Sequence, residues 1–267
     1  MTLVILFVLG TIVGSFLNVI GLRWDSKNFG GRSACPNCAK TLSWHELIPV
    51  LSFFLLKRKC SGCQAPISWQ YPIIEIWTGL IFASLFYIID PLNLLSFLNY
   101  LVLVAVFSLY IVITIYDIRH KIIPDTLVYT CILLALGYRM YSYFSLPTPY
   151  FLDLLAGPII FVFFGSIWLF SRGRAMGFGD AKLGLSVGLL LGAAKGFSAI
   201  IFAFWLGALA ALILFFVVKL GLPAQAGFIK SDKGLTMKSE VPFGPAIVLG
   251  AWLALFFHLN FNHVLPI

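Results

Sequence analysis

Two aspartates in this sequence could carry chemistry together. Asp117 closes one long apolar stretch, and Asp180 ends the segment Gly177-Phe178-Gly179-Asp180. After Asp180, small residues recur at intervals of four, so one helix face can pack closely on a neighbour; they are Gly184, Gly188, Gly192 and Gly196. That neighbour can carry Asp117. Two carboxyl groups in one partly dry site share a proton, and such a pair can activate water to attack a peptide carbonyl.

The other acids in the apolar part of the chain have simpler explanations. Asp125 follows Pro124 and suits a helix cap. Asp90 and Asp153 lie toward the opposite ends of their stretches, where a capping or solvated role is expected. Asp117 and Asp180 therefore remain as the predicted catalytic pair.

Four of the five cysteines form two C-x-x-C pairs in one polar segment. The pairs are Cys35/Cys38 and Cys60/Cys63, separated by 21 residues. Four thiolates at this spacing predict a structural tetrahedral zinc site, because so small a segment buries too little apolar surface to fold alone. Two disulfides, free thiols, or His45 as a substitute ligand are the alternatives, and Cys131 is expected only to pack.

Composition shows where these residues must sit. Of 267 residues, 61% are hydrophobic and 10% are charged, and the mean hydropathy is +1.00. A water-soluble domain has about 45–50% apolar and about 25% charged residues. The sequence therefore predicts an all-α polytopic membrane protein and excludes soluble, fibrous and disulfide-scaffold classes.

Eight apolar stretches are predicted to cross the membrane. They lie near 3–22, 73–90, 94–116, 126–146, 150–170, 183–196, 197–218 and 244–262. With both termini outside, 16 of the 18 basic residues face the cytosol, and only Arg139 and Lys195 face outward. This asymmetry is typical of inner-membrane proteins.

The chain is predicted to divide into three parts. Residues 1–22 form the first transmembrane helix, 23–72 a cytosolic zinc-binding insert, and 73–267 the membrane body. Within the insert, 47–56 is apolar but too short to span, so it belongs in the insert or on the membrane surface. The net charge of +8 is spread over several loops beside the membrane, which favours anionic lipid over nucleic acid as a partner.

These residues resemble the type IV prepilin leader peptidases, which are membrane aspartyl proteases of bacteria. The resemblance covers nearly the whole chain and includes both cysteine pairs and both aspartates. Its further motifs are Gly14-Ser15-Phe16-Leu17-Asn18-Val19, Trp44, Ile48-Pro49, Leu51-Ser52, Tyr71-Pro72, Glu75, Ile123-Pro124-Asp125, Met176 through Leu183, and Pro242-Phe243-Gly244-Pro245.

The resemblance implies cleavage of a short basic leader from pilin-like precursors, after a glycine, at the cytosolic face. It also implies methylation of the new amino terminus with S-adenosylmethionine. Two positions in the region linked to methyl transfer depart from the family: Arg58 stands where many members have glycine, and Leu47 where many have a polar residue. Asp25, Glu46 and Glu75 are the expected counter-charges for a basic leader.

Two other classes of function compete with this interpretation. A proton-coupled transporter would use Asp117 and Asp180 to relay ions, and a membrane scaffold would dock partners through its zinc ribbon. Substitution of either aspartate by asparagine separates the three, since only the peptidase loses precursor processing.

Overall fold

The long apolar stretches form helices, because only a helix or a closed barrel satisfies every backbone polar group inside a bilayer. A computed structural model describes residues 1–25, 30–145, 151–219 and 242–257, and this part of the chain contains no β-strand. The helices are α1 (Thr2–Arg23), α2 (Leu51–Leu55), α3 (Gln70–Ile89), α4 (Leu94–His120), α5 (Asp125–Ser145), α6 (Phe151–Ser171), α7 (Phe178–Lys219) and α8 (Gly244–Phe256).

Five of these helices are long and apolar enough to cross a membrane, namely α1, α3, α4, α6 and α7. Helix α5 has 21 residues but is the least apolar of the long helices, and the described part of α8 has only 13. The polytopic all-helical class is thereby confirmed, whereas the number of eight spans stays a prediction. Four of the basic residues predicted to face inward lie outside the described residues: Lys27, Lys230, Lys233 and Lys238.

Helix α7 reverses direction in its middle. Gly192 has φ 75° and ψ −174°, a backbone geometry open essentially to glycine alone. A Cβ built on Gly196 would lie 3.3 Å from the Cα of Gly188, whereas eight residues of continuous helix would separate the two by about 12 Å. The chain therefore makes a tight helical hairpin, with one arm before Gly192 and one after it. The sequence predicted two spans here but placed their boundary at 196, because nothing in the apolar pattern marks Gly192.

Two charged side chains cap the helix termini on either side of this break. Arg139 of α5 donates from Nε to the carbonyl of Leu189 at 2.8 Å and from Nη2 to that of Leu190 at 3.0 Å. Asp153 of α6 accepts from the N–H of Ala193 at 2.8 Å, and its carboxylate lies 3.7 Å from the Arg139 guanidinium. The pair thus satisfies backbone groups that each arm leaves unpaired, which confirms the capping role expected for Asp153.

Alanine at position 192 should destabilise the whole bundle. Its Cβ would lie 2.7 Å from Asp153 Oδ1 and would hold a φ that L side chains rarely adopt. We expect a loss of about 2–4 kcal/mol in the free energy of unfolding, from backbone strain and the displaced cap together. The measurement is reversible denaturation in bicelles. The control is Gly137→Ala in α5, where a Cβ would meet no atom of the described part of the chain within 4 Å. Equal stability of the two variants would contradict the hairpin.

The insert consists of two similar knuckles, with a 3-10 turn (Trp44–Leu47) and α2 between them. In each knuckle the first cysteine N–H donates to a carbonyl five residues later, that of Lys40 or Ala65. Isolated bridges flank each knuckle, between Ala34 and Thr41 and between Lys59 and Pro66. The same backbone pattern thus recurs 25 residues later, and it turns both cysteine pairs toward one point.

Candidate active site and metal centre

Asp117 lies in the last turn of α4 and is 4% exposed. Its Oδ2 accepts a hydrogen bond from the backbone N–H of Gly244 at 3.0 Å. Gly244 begins α8, and the first N–H groups of a helix have no partner within that helix. The aspartate therefore satisfies the start of α8 and is held by it.

A side chain at position 244 would displace the Asp117 carboxyl. A Cβ there would lie 2.6 Å from Asp117 Oδ2, inside any normal contact distance. Pro245 follows at the first turn of α8, where a missing N–H costs nothing. The sequence Phe243-Gly244-Pro245 thus starts a helix whose backbone directly touches the carboxylate.

Asp180 lies in the first turn of α7 and is 8% exposed. Its Oδ2 accepts from the N–H of Gly177 at 3.2 Å. A Cβ on Gly179 would lie 2.9 Å from Cβ of Ile123, so the start of α7 packs against the segment that joins α4 to α5. Lys182 reaches across to Asp125, with Nζ 2.6 Å from Oδ1. Asp125 therefore ties α5 to α7 in addition to starting its own helix.

The two buried aspartates lie at the same end of the bundle. The segment that follows Asp117 packs beside Asp180, since a Cβ on Gly179 would lie 2.9 Å from Cβ of Ile123. Deeper in the bundle, the fully buried hydroxyls of Tyr110 on α4 and Ser186 on α7 are hydrogen-bonded at 2.8 Å. Tyr110 precedes Asp117 by seven residues and Ser186 follows Asp180 by six, so each lies about 10 Å along its helix from the acid. Helix α4 and the first arm of α7 are antiparallel, so both acids lie at the same end of the bundle.

The four cysteines of the insert fit a tetrahedral metal site. Their Sγ atoms all lie within 4.8 Å of one another, with Cys35 to Cys63 at 3.8 Å and Cys38 to Cys60 at 4.0 Å. With zinc–sulfur bonds of about 2.3 Å, the edge of a zinc tetrahedron is about 3.8 Å. All four thiols are free, which argues against the two disulfides. The N–H groups of Cys38 and Asn37 lower the pKa of the Cys35 thiol, which favours the thiolate form that binds a metal.

A buried carboxylate joins the two knuckles. Glu46 accepts hydrogen bonds from Lys40 Nζ at 3.1 Å, from Ser43 N–H at 2.8 Å and from the Ser61 hydroxyl. These bonds, the largest contribution coming from Ser61, hold the pKa of Glu46 well below its usual range. His45 is exposed and lies outside the sulfur cluster, so it is not a substitute ligand in this arrangement.

The prediction that three acids serve as counter-charges for a basic leader is wrong for two of them, Glu46 and Glu75. Glu46 is 7% exposed within the insert, and Glu75 is 6% exposed with Oε2 accepting from Val50 N–H at 2.7 Å. Both carboxylates are used inside the protein because burial without a partner would cost free energy. Asp25 is exposed, but it accepts from Tyr116 at 2.6 Å and lies 3.6 Å from His120.

One departure from the family pattern has a structural explanation. Arg58 has φ 63°, the left-handed conformation that favours glycine. Its guanidinium carbon lies 5.8 Å from the centre of the Trp69 ring, a cation–π contact that offsets part of the strain. Leu47, the other departure, is 42% exposed.

Some of this site was not visible in the sequence. The Gly244 contact and the Tyr110–Ser186 bond both join residues that are far apart along the chain. The signals for the first were a glycine set between an aromatic residue and a proline, and the resemblance of 242–245 to a family motif. The second had none, since a tyrosine or a serine within an apolar stretch is common.

Fold and site together define a class: a helical membrane protein with two buried aspartates at the same end of its bundle and a four-cysteine insert after its first helix. Residues 8–89 match the family described as Bacterial Peptidase A24 N-terminal domain, and residues 104–214 match the Type IV leader peptidase family. The chain belongs to the type IV leader peptidase family.

Individual relatives agree with the family assignment. A Bacillus subtilis protein named prepilin leader peptidase/N-methyltransferase is 30% identical over 94% of this chain and 92% of its own length. Proteins of the same name from Myxococcus xanthus and Stutzerimonas stutzeri are 33% and 27% identical over 79% and 93% of this chain. The match spans 62% of the Myxococcus protein and 88% of the Stutzerimonas protein. No solved structure matches the chain significantly.

Proposed function

We propose that this protein cleaves the basic leader of type IV pilin-like precursors after a glycine, at the cytosolic face of the bacterial plasma membrane. It then methylates the new amino terminus, with S-adenosylmethionine as the methyl donor. The observation that carries the proposal is the position of two buried acids, Asp117 and Asp180, at the same end of the bundle in a chain of this family. The names of its relatives support both activities.

In the cleavage step the two aspartates divide the work of an acid and a base. One carboxylate takes a proton from water as the water oxygen attacks the scissile carbonyl carbon. The other, protonated, donates to the carbonyl oxygen, and a proton then passes to the leaving nitrogen as the C–N bond breaks. The N–H groups of Gly244 and Gly177 orient the two carboxyls without taking part in the bond changes.

The insert is proposed to be a structural zinc domain covering residues 23–72, between the first helix at 1–22 and the membrane body at 73–267. Cys35, Cys38, Cys60 and Cys63 would hold the ion as a closed tetrahedral site. A closed site stabilises the fold and leaves no open position for substrate. The bound metal thus supplies folding free energy to a segment with little core of its own.

The proposed orientation places both termini outside and the insert in the cytosol. It is supported by the separation of basic residues, because Arg23, Arg119 and Lys182 lie at the bundle end that carries the aspartates and Arg139 lies at the other. Anionic lipid headgroups are the proposed partners of this basic surface, and nucleic acid is not.

The site favours the peptidase over the transporter. Asp117 and Asp180 occupy the last and first turns of their helices, whereas a coupling-ion site is expected near the bilayer midplane. The position of the pair at a membrane surface suits a substrate that is cut just outside its apolar helix. A scaffold would not need the buried acids at all.

The direct test is incubation of the purified protein with a pilin-like precursor, followed by mass measurement of the products. We expect loss of the leader without methyl donor, and the further gain of one methyl group when S-adenosylmethionine is added. An intact precursor in both samples would contradict the proposal, and cleavage without methylation would limit it to the peptidase activity.

Removal of the Tyr110–Ser186 hydrogen bond should lower kcat more than it changes KM. The bond sets the register of the helices that carry the acids, and misplacement of catalytic groups by about 1 Å can cost about 10²-fold. We expect Tyr110→Phe and Ser186→Ala each to reduce kcat about 10-fold, and the double variant to be no worse than either single one. The measurement is the steady-state rate of precursor cleavage.

The control for this prediction is Thr114→Val on the same helix. The Thr114 hydroxyl is buried and has no hydrogen-bond partner among the described residues, so its loss should leave kcat near the wild-type value. Additive losses in the Tyr110/Ser186 double variant, or an equal loss in Thr114→Val, would show that the bond has no special role.

A further inference from the structure

The insert carries an exposed apolar surface that the proposed chemistry does not use. We call it the apolar tip; it consists of Trp44, Leu47, Leu51, Phe54 and Leu55. These side chains are 42–78% exposed, and three of them lie on the five-residue helix α2. A surface of this kind on a polar domain marks a contact with another molecule or with a membrane.

The contacts of α2 place the tip level with the start of the membrane body. The N–H of Val50, just before α2, donates to Glu75 Oε2 at 2.7 Å. Glu75 is the sixth residue of α3, about 8 Å along that helix from its beginning. On the buried face of α2, the ring of Phe53 lies 4.8 Å from the ring of Trp69, the residue before α3. Helix α2 therefore runs beside the first turns of a membrane-crossing helix and does not project into the cytosol.

The backbone before α2 is held in a costly conformation. Val50 has φ 62°, which is rare for a β-branched residue and strains the backbone. The bond to buried Glu75 is the local interaction that keeps it there. The strained residue turns α2 toward α3, and this turn keeps the apolar residues at the level of the first turns of α3.

The charges beside the apolar tip indicate what kind of partner it contacts. Lys57, Arg58 and Lys59 follow α2 directly, and both lysines are exposed. Apolar and aromatic side chains bordered by basic ones are typical of segments that lie in the headgroup region of anionic bilayers. No acidic residue lies between 47 and 74.

We propose that the apolar tip inserts into the cytosolic leaflet, with the three basic residues on anionic headgroups. The insert is then fixed to the membrane at three places: the end of α1, the start of α3 and the tip. This arrangement holds the metal site and the end of α4 at a constant height above the bilayer. The inference does not depend on either catalytic activity.

Photocrosslinking of the full chain in nanodiscs tests the proposal. Benzoylphenylalanine replaces Phe54 in one variant and Leu55 in a second, so that poor folding of one does not decide the result. The control carries the same probe at Asn37, an exposed position in the first knuckle. Bilayers of phosphatidylcholine alone are compared with bilayers that also contain phosphatidylglycerol, with and without precursor.

We expect lipid adducts at positions 54 and 55 in several-fold excess over those at position 37, and a higher yield with phosphatidylglycerol. Adducts mainly with the precursor would assign the tip to substrate, and adducts with a second copy would assign it to a dimer. Either of these results, equal lipid adducts at 37 and 54, or equal yields in the two bilayers would overturn the proposal.

Discussion

Asparagine in place of Asp117 or Asp180 is expected to reduce the rate of precursor cleavage by at least about 10³-fold. Asparagine has nearly the same size as aspartate and its oxygen can still accept from Gly244 or Gly177, so the geometry is retained. It can neither take a proton from water nor share one with its partner. The measurement is the initial rate of leader removal, with the thermal unfolding midpoint recorded in parallel.

Two comparisons make this result specific. The double variant should be no slower than the single ones, because groups that act as a unit are not additive. Asp125→Asn breaks the surface contact with Lys182 and should cost far less, since Asp125 is exposed. Cleavage at a normal rate by the Asp117→Asn or the Asp180→Asn enzyme would remove the substituted residue from the mechanism.

Loss of the metal is expected to unfold the insert. Structural zinc in small domains contributes about 10–16 kcal/mol, more than the whole stability of most domains. Cys60→Ser, or a strong chelator, should release the ion and expose residues 30–69 to added protease while the membrane body stays folded. The measurements are metal content per chain and the pattern of limited proteolysis.

The matched control for the metal prediction is Cys131→Ser. Cys131 is fully buried in the membrane body and is not a member of the sulfur cluster, so its loss should leave the metal content unchanged. Glu46→Gln should keep all four ligands but speed release of the metal, because Glu46 joins the two knuckles. A protein that is metal-free as purified, with an insert resistant to protease, would refute the zinc site.

Local sequence patterns predicted the long helices and the cysteine cluster. Apolar length marked the helices, since lipid requires about 20 apolar residues per crossing, and the cysteine spacing marked a cluster that the structure confirms. The stripe of glycines after Asp180 predicted close packing, and a Cβ on Gly188 would indeed lie 2.7 Å from the backbone of Gly157 on α6. That neighbour is α6 and not α4, so the stripe did not itself lead to Asp117.

Features that depend on distant contacts could not be predicted. The helix break at Gly192 is stabilised by Arg139 and Asp153, which come from two other helices. Glu46 and Glu75 looked like free charges because the sequence does not show which backbone groups surround them. Asp153 was expected to have a capping or solvated role, but the sequence did not show that the N–H it caps is that of Ala193 on another helix.

The most direct test of the central claim is the distance between positions 117 and 180. Cysteines are placed at both positions, in a Cys131→Ala background with the metal bound, and are treated with a short bifunctional thiol reagent. In the control, Tyr87→Cys is combined with Asp180→Cys, so that the two new thiols lie at opposite ends of the bundle. We predict one intramolecular link that joins the peptides containing positions 117 and 180, and no link in the control. Separate single adducts at 117 and 180 would show that the two acids do not form one site.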